Sequence, residues 1–356
     1  MKKILVTKFK SIGDVLLITP LLRNLKIAYP NSSIDLLIKE GTDELIRNNP
    51  YINKIYITKR NKNSRLRKLI CDFQLILSLF KNKYDILITT DKGDRSALFA
   101  KLLRAKVSIG RRNDFKIKIN NPFDKFFLES NQRHIIEINQ DPLTVLGKSI
   151  AYFGGVEIFY DEIRNSNLEK FISNNKKFIH IHPFSQASHK ELSTRLIAKI
   201  IDFCEIDLGI KVVLTGSSAF QDQIKTLEIL DFAESKPLNY CGKLTLTETA
   251  YLNKFASLLI VVDTAIMHIS CANKTQVLAI FGPTAINSWG PWDISKRLNT
   301  YNRAGGIQKH GIHTVISSEM DCVPCSKSGC DNNGFSSCLE NIDIEIIKRE
   351  IKRKLK

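Results

Sequence analysis

Along this chain, short runs of β-branched and other apolar residues alternate with longer stretches in which apolar positions return every three or four residues. Lys3-Ile4-Leu5-Val6-Thr7 is the first run; a loop follows, then an apolar-periodic stretch from Val15 to Ala28 that Pro30 closes. Ile34 to Ile38, Lys54 to Thr58 and Asp85 to Thr89 read as three more strands, with helical stretches between them. Strands alternating with helices of about 10 to 15 residues predict a parallel sheet with right-handed crossovers. A polar, Asn/Lys-rich stretch from Asn165 to Lys177 reads as a linker, and beyond it the rhythm restarts. Phe178 to His182, Lys211 to Thr215, Leu258 to Val262 and Val277 to Phe281 read as strands, and Arg195 to Asp207 as a helix. Ile342, Ile346, Ile347, Ile351 and Leu355 give the last segment one apolar stripe and a basic outer face. The expected organisation is a Rossmann-like domain over 1–164, a second over 165–340, and an amphipathic helix over 341–356. Two doubly wound domains facing each other would form a cleft lined by the carboxyl ends of their strands.

Composition fits this picture. The 356 residues are 43% apolar and 25% charged, which suits two globular domains and excludes a disordered, collagenous or coiled-coil chain. No uncharged apolar run approaches the roughly 18 residues of a membrane span. The opening MKKILVTKFKSIGD lacks the apolar core of a signal peptide, so the expected location is the cytoplasm. Fifty-three Lys plus Arg against 36 Asp plus Glu leave +17, which points to nucleic acid, an anionic membrane surface or a phosphorylated small molecule as partner. Nucleic acid is not expected, because interleaved aromatics and a recognisable binding module are both missing.

Three absent motifs narrow the chemistry. There is no G-x-G-x-x-G after a strand, no P-loop and no G-x-S-x-G elbow. What remains is polar residues at strand carboxyl ends. Ser11-Ile12-Gly13-Asp14 follows the first strand and has two readings. S-x-x-D ahead of an apolar run is a capping box. A carboxylate on a Gly-loosened turn is also a candidate general base toward an acceptor hydroxyl, typically worth about 10²- to 10⁴-fold in rate. His182-Pro183-Phe184-Ser185 leads to Lys190, a solvated surface lysine or a cation for a leaving phosphate. Thr215-Gly216 ends another strand at the same edge. After Leu258 to Val262 come Asp263, Thr264, Ala265 and His268. Asp263 there is a helix cap or an acceptor for sugar hydroxyls, and the helix start offers free amides to a phosphate. His268 is a satisfied core histidine or shares a ligand-binding helix face with Thr264. Gly282-Pro283-Thr284 reads as a turn, and Trp289 and Trp292, the chain's two tryptophans, are candidates to stack on a base or a sugar.

These motifs, in this order from residue 4 to residue 292, resemble glycosyltransferase family nine, the bacterial heptosyltransferases of lipopolysaccharide core assembly. The resemblance is carried by Ser-Ile-Gly-Asp-Val-Leu-Leu-Ile-Thr-Pro-Leu-Leu, by His182-Pro183 with Lys190, by Val-Asp-Thr-Ala-x-x-His and by Phe-Gly-Pro-Thr. The Trp-Gly-Pro-Trp loop resembles the branch that adds the third heptose. One departure stands at Leu192, where the family often has Trp. The resemblance implies a GT-B fold and inverting transfer from ADP-heptose to a lipid-linked acceptor, the lipopolysaccharide core, without a catalytic metal. By position, Asp14 would be the base, Lys190 would bind the diphosphate, Asp263 the heptose hydroxyls, and Thr264, Ala265 and His268 the phosphate end. A single carboxylate suits inversion, whereas retaining hydrolysis uses two about 5 Å apart. Three alternatives stay open: another nucleotide sugar, a protein acceptor, or a non-catalytic nucleotide-sugar or lipid binder.

Two clusters lie outside these motifs. Lys59, Arg60, Lys62, Arg65, Arg67 and Lys68 precede the apolar stretch Leu69 to Phe80, and Arg111, Arg112, Lys116 and Lys118 add to the same half. They read as a solvated loop, or as contact with an anionic leaflet or a phosphorylated acceptor at about 1 kcal/mol per cation. Cys322-x2-Cys325-x4-Cys330-x7-Cys338 gathers half of the eight cysteines. A structural zinc site, reduced thiols and disulfides all fit that spacing.

Overall fold

All of the apolar runs read as strands form strands. The computed structural model describes residues 1–59, 65–112, 122–128, 130, 132–330 and 334–356. Six strands make the first sheet: β1 (Lys3–Lys8), β2 (Ser33–Lys39), β3 (Lys54–Thr58), β4 (Ile86–Thr89), β5 (Val107–Arg111) and β6 (Lys125–Phe127). Their order is β3-β2-β1-β4-β5-β6, and every pair is parallel. Five of the six β1 residues are buried, as expected of a central parallel strand covered on both faces.

The second sheet contains β7 (Phe178–His182), β8 (Lys211–Leu214), β9 (Leu238–Asn239), β10 (Leu258–Val262), β11 (Val277–Phe281), β12 (Gly306–His310) and β13 (His313–Ser317). The order is β12-β13-β11-β10-β7-β8-β9, parallel except where β12 runs against β13. Each sheet reverses its winding once, between β1 and β4 and between β7 and β10. In doubly wound folds that reversal is where ligands sit, outside the strands' carboxyl ends.

The chain divides into two units, Met1–Asp161 and Glu162–Lys356, so the division falls three residues before the boundary read from sequence. The expected linker contains a helix, Ser166–Asn174, capped by Asn165, whose side-chain oxygen accepts from the Leu168 amide at 3.1 Å. Leu168 is buried with Phe178, Val213 and Leu252, and this one apolar anchor outweighs the polar composition around it. The stretch Val15 to Ala28 is two helices, Ile12–Leu16 and Thr19–Ala28. Pro20 lies in the first turn of the second helix, where its missing N–H costs nothing. The C-terminal helix, Ile344–Leu355, is part of the second unit, with Ile347 and Ile351 fully buried in that unit's core.

In the basic cluster, Arg60 and Lys62 lie outside the described residues, as do Lys116 and Lys118. Arg65, Arg67 and Lys68 belong to the helix Arg65–Phe80, but their side chains are not among those described. No helix of the described residues is long and apolar enough to cross a membrane.

Candidate active site

In the second unit, the reversal point between β7 and β10 holds an ion pair. The chain leaves β7 at His182, passes Pro183 to Ala187 and tightens into a short turn, Ser188–Lys190. Glu191 holds this loop: its Oε1 accepts from the Ser185 amide at 2.7 Å while its Oε2 pairs with Lys225. Lys190 Nζ thereby reaches Asp263 Oδ2 at 2.6 Å, just past the end of β10. The Ser185 hydroxyl donates to the Asp263 carbonyl at 3.4 Å. Thr264 is extended and precedes the helix Ala265–Ala272, in which His268 is buried. Lys190, Asp263 and Ser185 are thus brought together, and Thr264 and Ala265 follow directly.

His182 and Thr215 also meet. Thr215 Oγ1 lies 2.8 Å from His182 Nδ1 and 2.7 Å from Nε2 of the buried His180. Burial pushes the His180 imidazole down to about 3 and that of His182 down to about 4, so both rings are neutral near pH 7. Gly216 is required by packing, because a Cβ there would lie 2.6 Å from the Phe184 ring.

Two expectations change. Trp292 is 1% exposed and packs its ring 4.7 Å from that of His310, so it is a core residue and cannot stack on a ligand. Its hydrophobic area is best satisfied inside. Trp289, on the short helix Ile286–Trp289, stays partly exposed. The cysteine segment, expected to lie apart from the site, instead braces it. Ser336 Oγ donates to the His189 carbonyl at 2.7 Å, the Ser326 amide to the Pro283 carbonyl at 2.8 Å, and a Cβ on Gly282 would meet Leu339 at 2.8 Å. Thr284 follows that contact, partly buried. Cys322, Cys325, Cys330 and Cys338 are not joined to one another by disulfides. Burial and the three neighbouring thiols push Cys338 up to about 11. Among the described residues, no group of three or more His, Cys, Asp or Glu is placed to hold a metal ion.

The first unit repeats the arrangement at its own reversal point. Ser11 donates to Asp14 Oδ2 twice, from Oγ at 2.7 Å and from the amide at 3.3 Å, so the local contact of a capping box and a strand-end position hold together. Gly13 is buried in the same turn. Asp14 Oδ1 lies 3.8 Å from Lys8 Nζ, which also contacts Asp91 Oδ1 at 3.0 Å. The second Asp91 oxygen accepts from the Phe9 amide. Lys8 ends β1, Asp91 follows β4, and both side chains are 3% exposed. Arg111, buried at the end of β5, donates to Asn139 Oδ1 at 3.2 Å. Its guanidinium is pulled down by burial, against the fields of Asp91, Asp14 and Asp141. Lys8 and Asp91 were not legible as site residues in the sequence. The usable signal was position alone, since each stands at a strand's carboxyl end.

Two doubly wound units, each with charged side chains at the reversal point of its sheet, are the architecture of a GT-B glycosyltransferase. The chain belongs to glycosyltransferase family 9 (heptosyltransferase), whose family model matches residues 73–310. It is 28% identical over 287 residues to lipopolysaccharide heptosyltransferase 3 of Escherichia coli, spanning 79% of this chain and 83% of that protein. A family 9 glycosyl transferase from Veillonella parvula superposes with a TM-score of 0.81 at 22% identity, over 99% of this chain and 97% of that one. An E. coli heptosyltransferase solved with ADP superposes with a TM-score of 0.68 at 16% identity, over 99% of both chains.

Proposed function

We propose that this enzyme transfers heptose from ADP-heptose to the lipopolysaccharide inner core with inversion at the anomeric carbon. The observation that carries the reading is the Lys190–Asp263 pair at the reversal point of the second sheet, in a chain of this family. In the proposed step, Asp14 takes the proton of an acceptor hydroxyl as that oxygen attacks the anomeric carbon. The bond from that carbon to the diphosphate breaks, and ADP leaves. Lys190 and the amides at the start of Ala265–Ala272 stabilise the charge gathering on the diphosphate, a role filled elsewhere by a divalent cation. Asp263 accepts from donor-sugar hydroxyls, and Asp14 is the single carboxylate that an inverting displacement needs. Support for the donor and the acceptor comes from the names of the relatives above.

We further propose that the enzyme works on the cytoplasmic membrane's inner face, docked through the helix Arg65–Phe80. Leu75, Ile76 and Leu79 of this helix pack into the first unit's core, while Ile70, Phe73, Leu77 and Phe80 are 44 to 61% exposed. Those four positions fall within one quarter of the helix circumference at 100° per residue. Six cations occur from Lys59 to Lys68 in the sequence just before them. An apolar stripe beside a cationic run suits an anionic bilayer surface.

The reading is tested with purified protein, an acceptor carrying the unextended inner core, and ADP-heptose, UDP-sugars and GDP-sugars as alternative donors. Mass spectrometry is expected to find one added heptose with ADP-heptose alone. Transfer only from another nucleotide sugar, or onto protein alone, would replace the reading.

A further inference from the structure

A line of hydrogen bonds in the second unit ends at His182, and its direction is fixed at its far end by a backbone carbonyl. Asn273 Nδ2 stands 2.7 Å from the Ala250 carbonyl, which can only accept. The amide of Asn273 therefore presents its nitrogen there, and the same nitrogen lies 3.3 Å from Asn253 Oδ1. That orientation turns Asn253 Nδ2 toward His180 Nδ1 at 3.1 Å, which must offer a lone pair. A neutral imidazole with an accepting Nδ1 carries its hydrogen on Nε2, so His180 donates to Thr215 Oγ1 at 2.7 Å. The Thr215 hydroxyl has one hydrogen to give, and of its two ring partners only His182 Nδ1, at 2.8 Å, can take it once His180 donates. The hydrogen of the His182 ring is then left on Nε2.

Burial makes the direction robust. His180 and Asn253 are fully buried and Thr215 is 1% exposed, so no solvent competes at these three middle members, while Asn273 and His182 at the two ends are partly exposed. Thr275 further fixes the end of the helix Leu246–Phe255, which carries Asn253, by donating to the Asn253 carbonyl at 2.9 Å. His182 closes β7 at the sheet's reversal point, and the loop that follows carries Lys190.

We propose that Asn273, Asn253, His180 and Thr215 are positioning residues that lock His182 as a neutral Nε2–H donor to a diphosphate oxygen of the nucleotide-sugar donor. This rests on the donor assignment made above. A neutral donor here adds a hydrogen bond to the leaving group without a second cation beside Lys190. The ring, held near 4 by burial, keeps that form from pH 5.5 to pH 8. The ring is a fixed donor and not a proton shuttle.

Long-range proton–nitrogen NMR on full-length protein with ¹⁵N-labelled histidine, with and without ADP, tests this directly. In the unaltered chain, His182 is expected to show an unprotonated Nδ1 and a protonated Nε2 from pH 5.5 to pH 8, with the Nε2 signal moving when ADP binds. Thr215→Val should release the lock, letting His182 sample both tautomers, and should weaken ADP binding by about three- to tenfold, the worth of one hydrogen bond. Thr215→Ser, which keeps the hydroxyl, should restore both and shows that the valine effect is not misfolding. A His182 that carries its hydrogen on Nδ1, or a Thr215→Val chain with unchanged tautomer and ADP affinity, overturns the proposal. An unaltered chain with the expected tautomer that does not bind ADP overturns the nucleotide assignment, and with it the ligand given to His182, while the bonded line itself stands.

Discussion

The ammonium of Lys190 and the carboxylate of Asp263 lie 2.6 Å apart and tie the loop after β7 to the end of β10. They are 73 residues apart in sequence, yet the sheet order makes their strands neighbours. The pair is 26% and 10% exposed, so each charge is mostly out of water and each depends on the other. Lys190→Met should leave the mostly buried Asp263 carboxylate without its partner, lowering stability by about 2 kcal/mol. ADP affinity should fall at least tenfold by calorimetry, because the cation meant for the diphosphate is gone. Lys190→Arg should keep the stability and recover part of the affinity. Unchanged ADP binding by Lys190→Met would remove this lysine from the donor site.

Asp14 is held by Ser11 on one oxygen, which leaves the other facing Lys8 at 3.8 Å. Asp14→Asn preserves the size of the side chain and most of the local bonding. Transfer should drop by about 10²- to 10⁴-fold in kcat. ADP affinity and the melting temperature should stay within error of the unaltered chain. A variant that turns over at more than a tenth of the normal rate would mean that another group takes the proton.

Strand runs and strand-end motifs were legible because both are local. β10 and β11 are continuous apolar runs, the form that a fully covered parallel strand takes, and β1 and β7 each carry three apolar residues within a short β-branched stretch. Strands β6 and β9, of three and two residues, are too short to carry a period, and β5, β12 and β13, of five residues each, also went unread: VSIGR, GIQKH and HTVIS mix polar and apolar residues without a long apolar run. Asp14, Lys190 and Asp263 stood out by motif. Lys8 and Asp91 did not, because their meaning lies in a contact between strands 83 residues apart, which single-sequence reading cannot see. Trp292 misled for the same reason: composition marked it as a stacking ring, and only the packing against His310 shows it to be core.

Asp91 has a structural task that can be measured apart from turnover. Its carboxylate is nearly buried, neutralises Lys8 at 3.0 Å and accepts the Phe9 amide. Removing one member of a buried pair strands the other, so Asp91→Ala should cost about 3 kcal/mol in urea unfolding of the first unit. Replacing Lys8 and Asp91 together by Met and Leu should cost less than the single change. A double variant as unstable as the single one would show that the loss comes from packing alone.

The buried imidazoles give the second unit a pH dependence with a definite sign. Burial holds His180 at about 3, His182 at about 4 and His313 at about 3, all below the ordinary value of 6.5. Above pH 6.5 the rings are neutral both folded and unfolded, and they contribute no slope. As the pH falls below 6.5 the unfolded chain takes up protons that the folded unit refuses, so stability decreases until the folded values are reached. Each ring contributes up to about 1.4 kcal/mol per pH unit within that window. Both tryptophans lie in this unit, so fluorescence-detected urea unfolding should show its midpoint falling between pH 6.5 and pH 5.5 and level between pH 7 and pH 8. A midpoint that is flat from pH 6.5 to pH 5.5 would mean that these rings open to solvent.

The exposed stripe on the helix Arg65–Phe80 makes the membrane reading separable from catalysis. Phe73 is 61% exposed and Leu77 44%, so a charged residue at either place disturbs little of the folded unit, within about 0.5 kcal/mol. In contact with a bilayer the same change is costly, because it removes buried apolar area and places a carboxylate near anionic headgroups. Phe73→Glu with Leu77→Glu should therefore lower co-sedimentation with phosphatidylglycerol vesicles at least tenfold. Neutral phosphatidylcholine vesicles should bind the unaltered chain weakly, since the cations preceding the helix supply much of the attraction. Transfer onto a detergent-free, water-soluble acceptor should be the same for both proteins. If the double variant sediments with anionic vesicles as the unaltered chain does, the stripe has no part in docking. In that case the basic residues alone, or another face, must hold the enzyme to the bilayer.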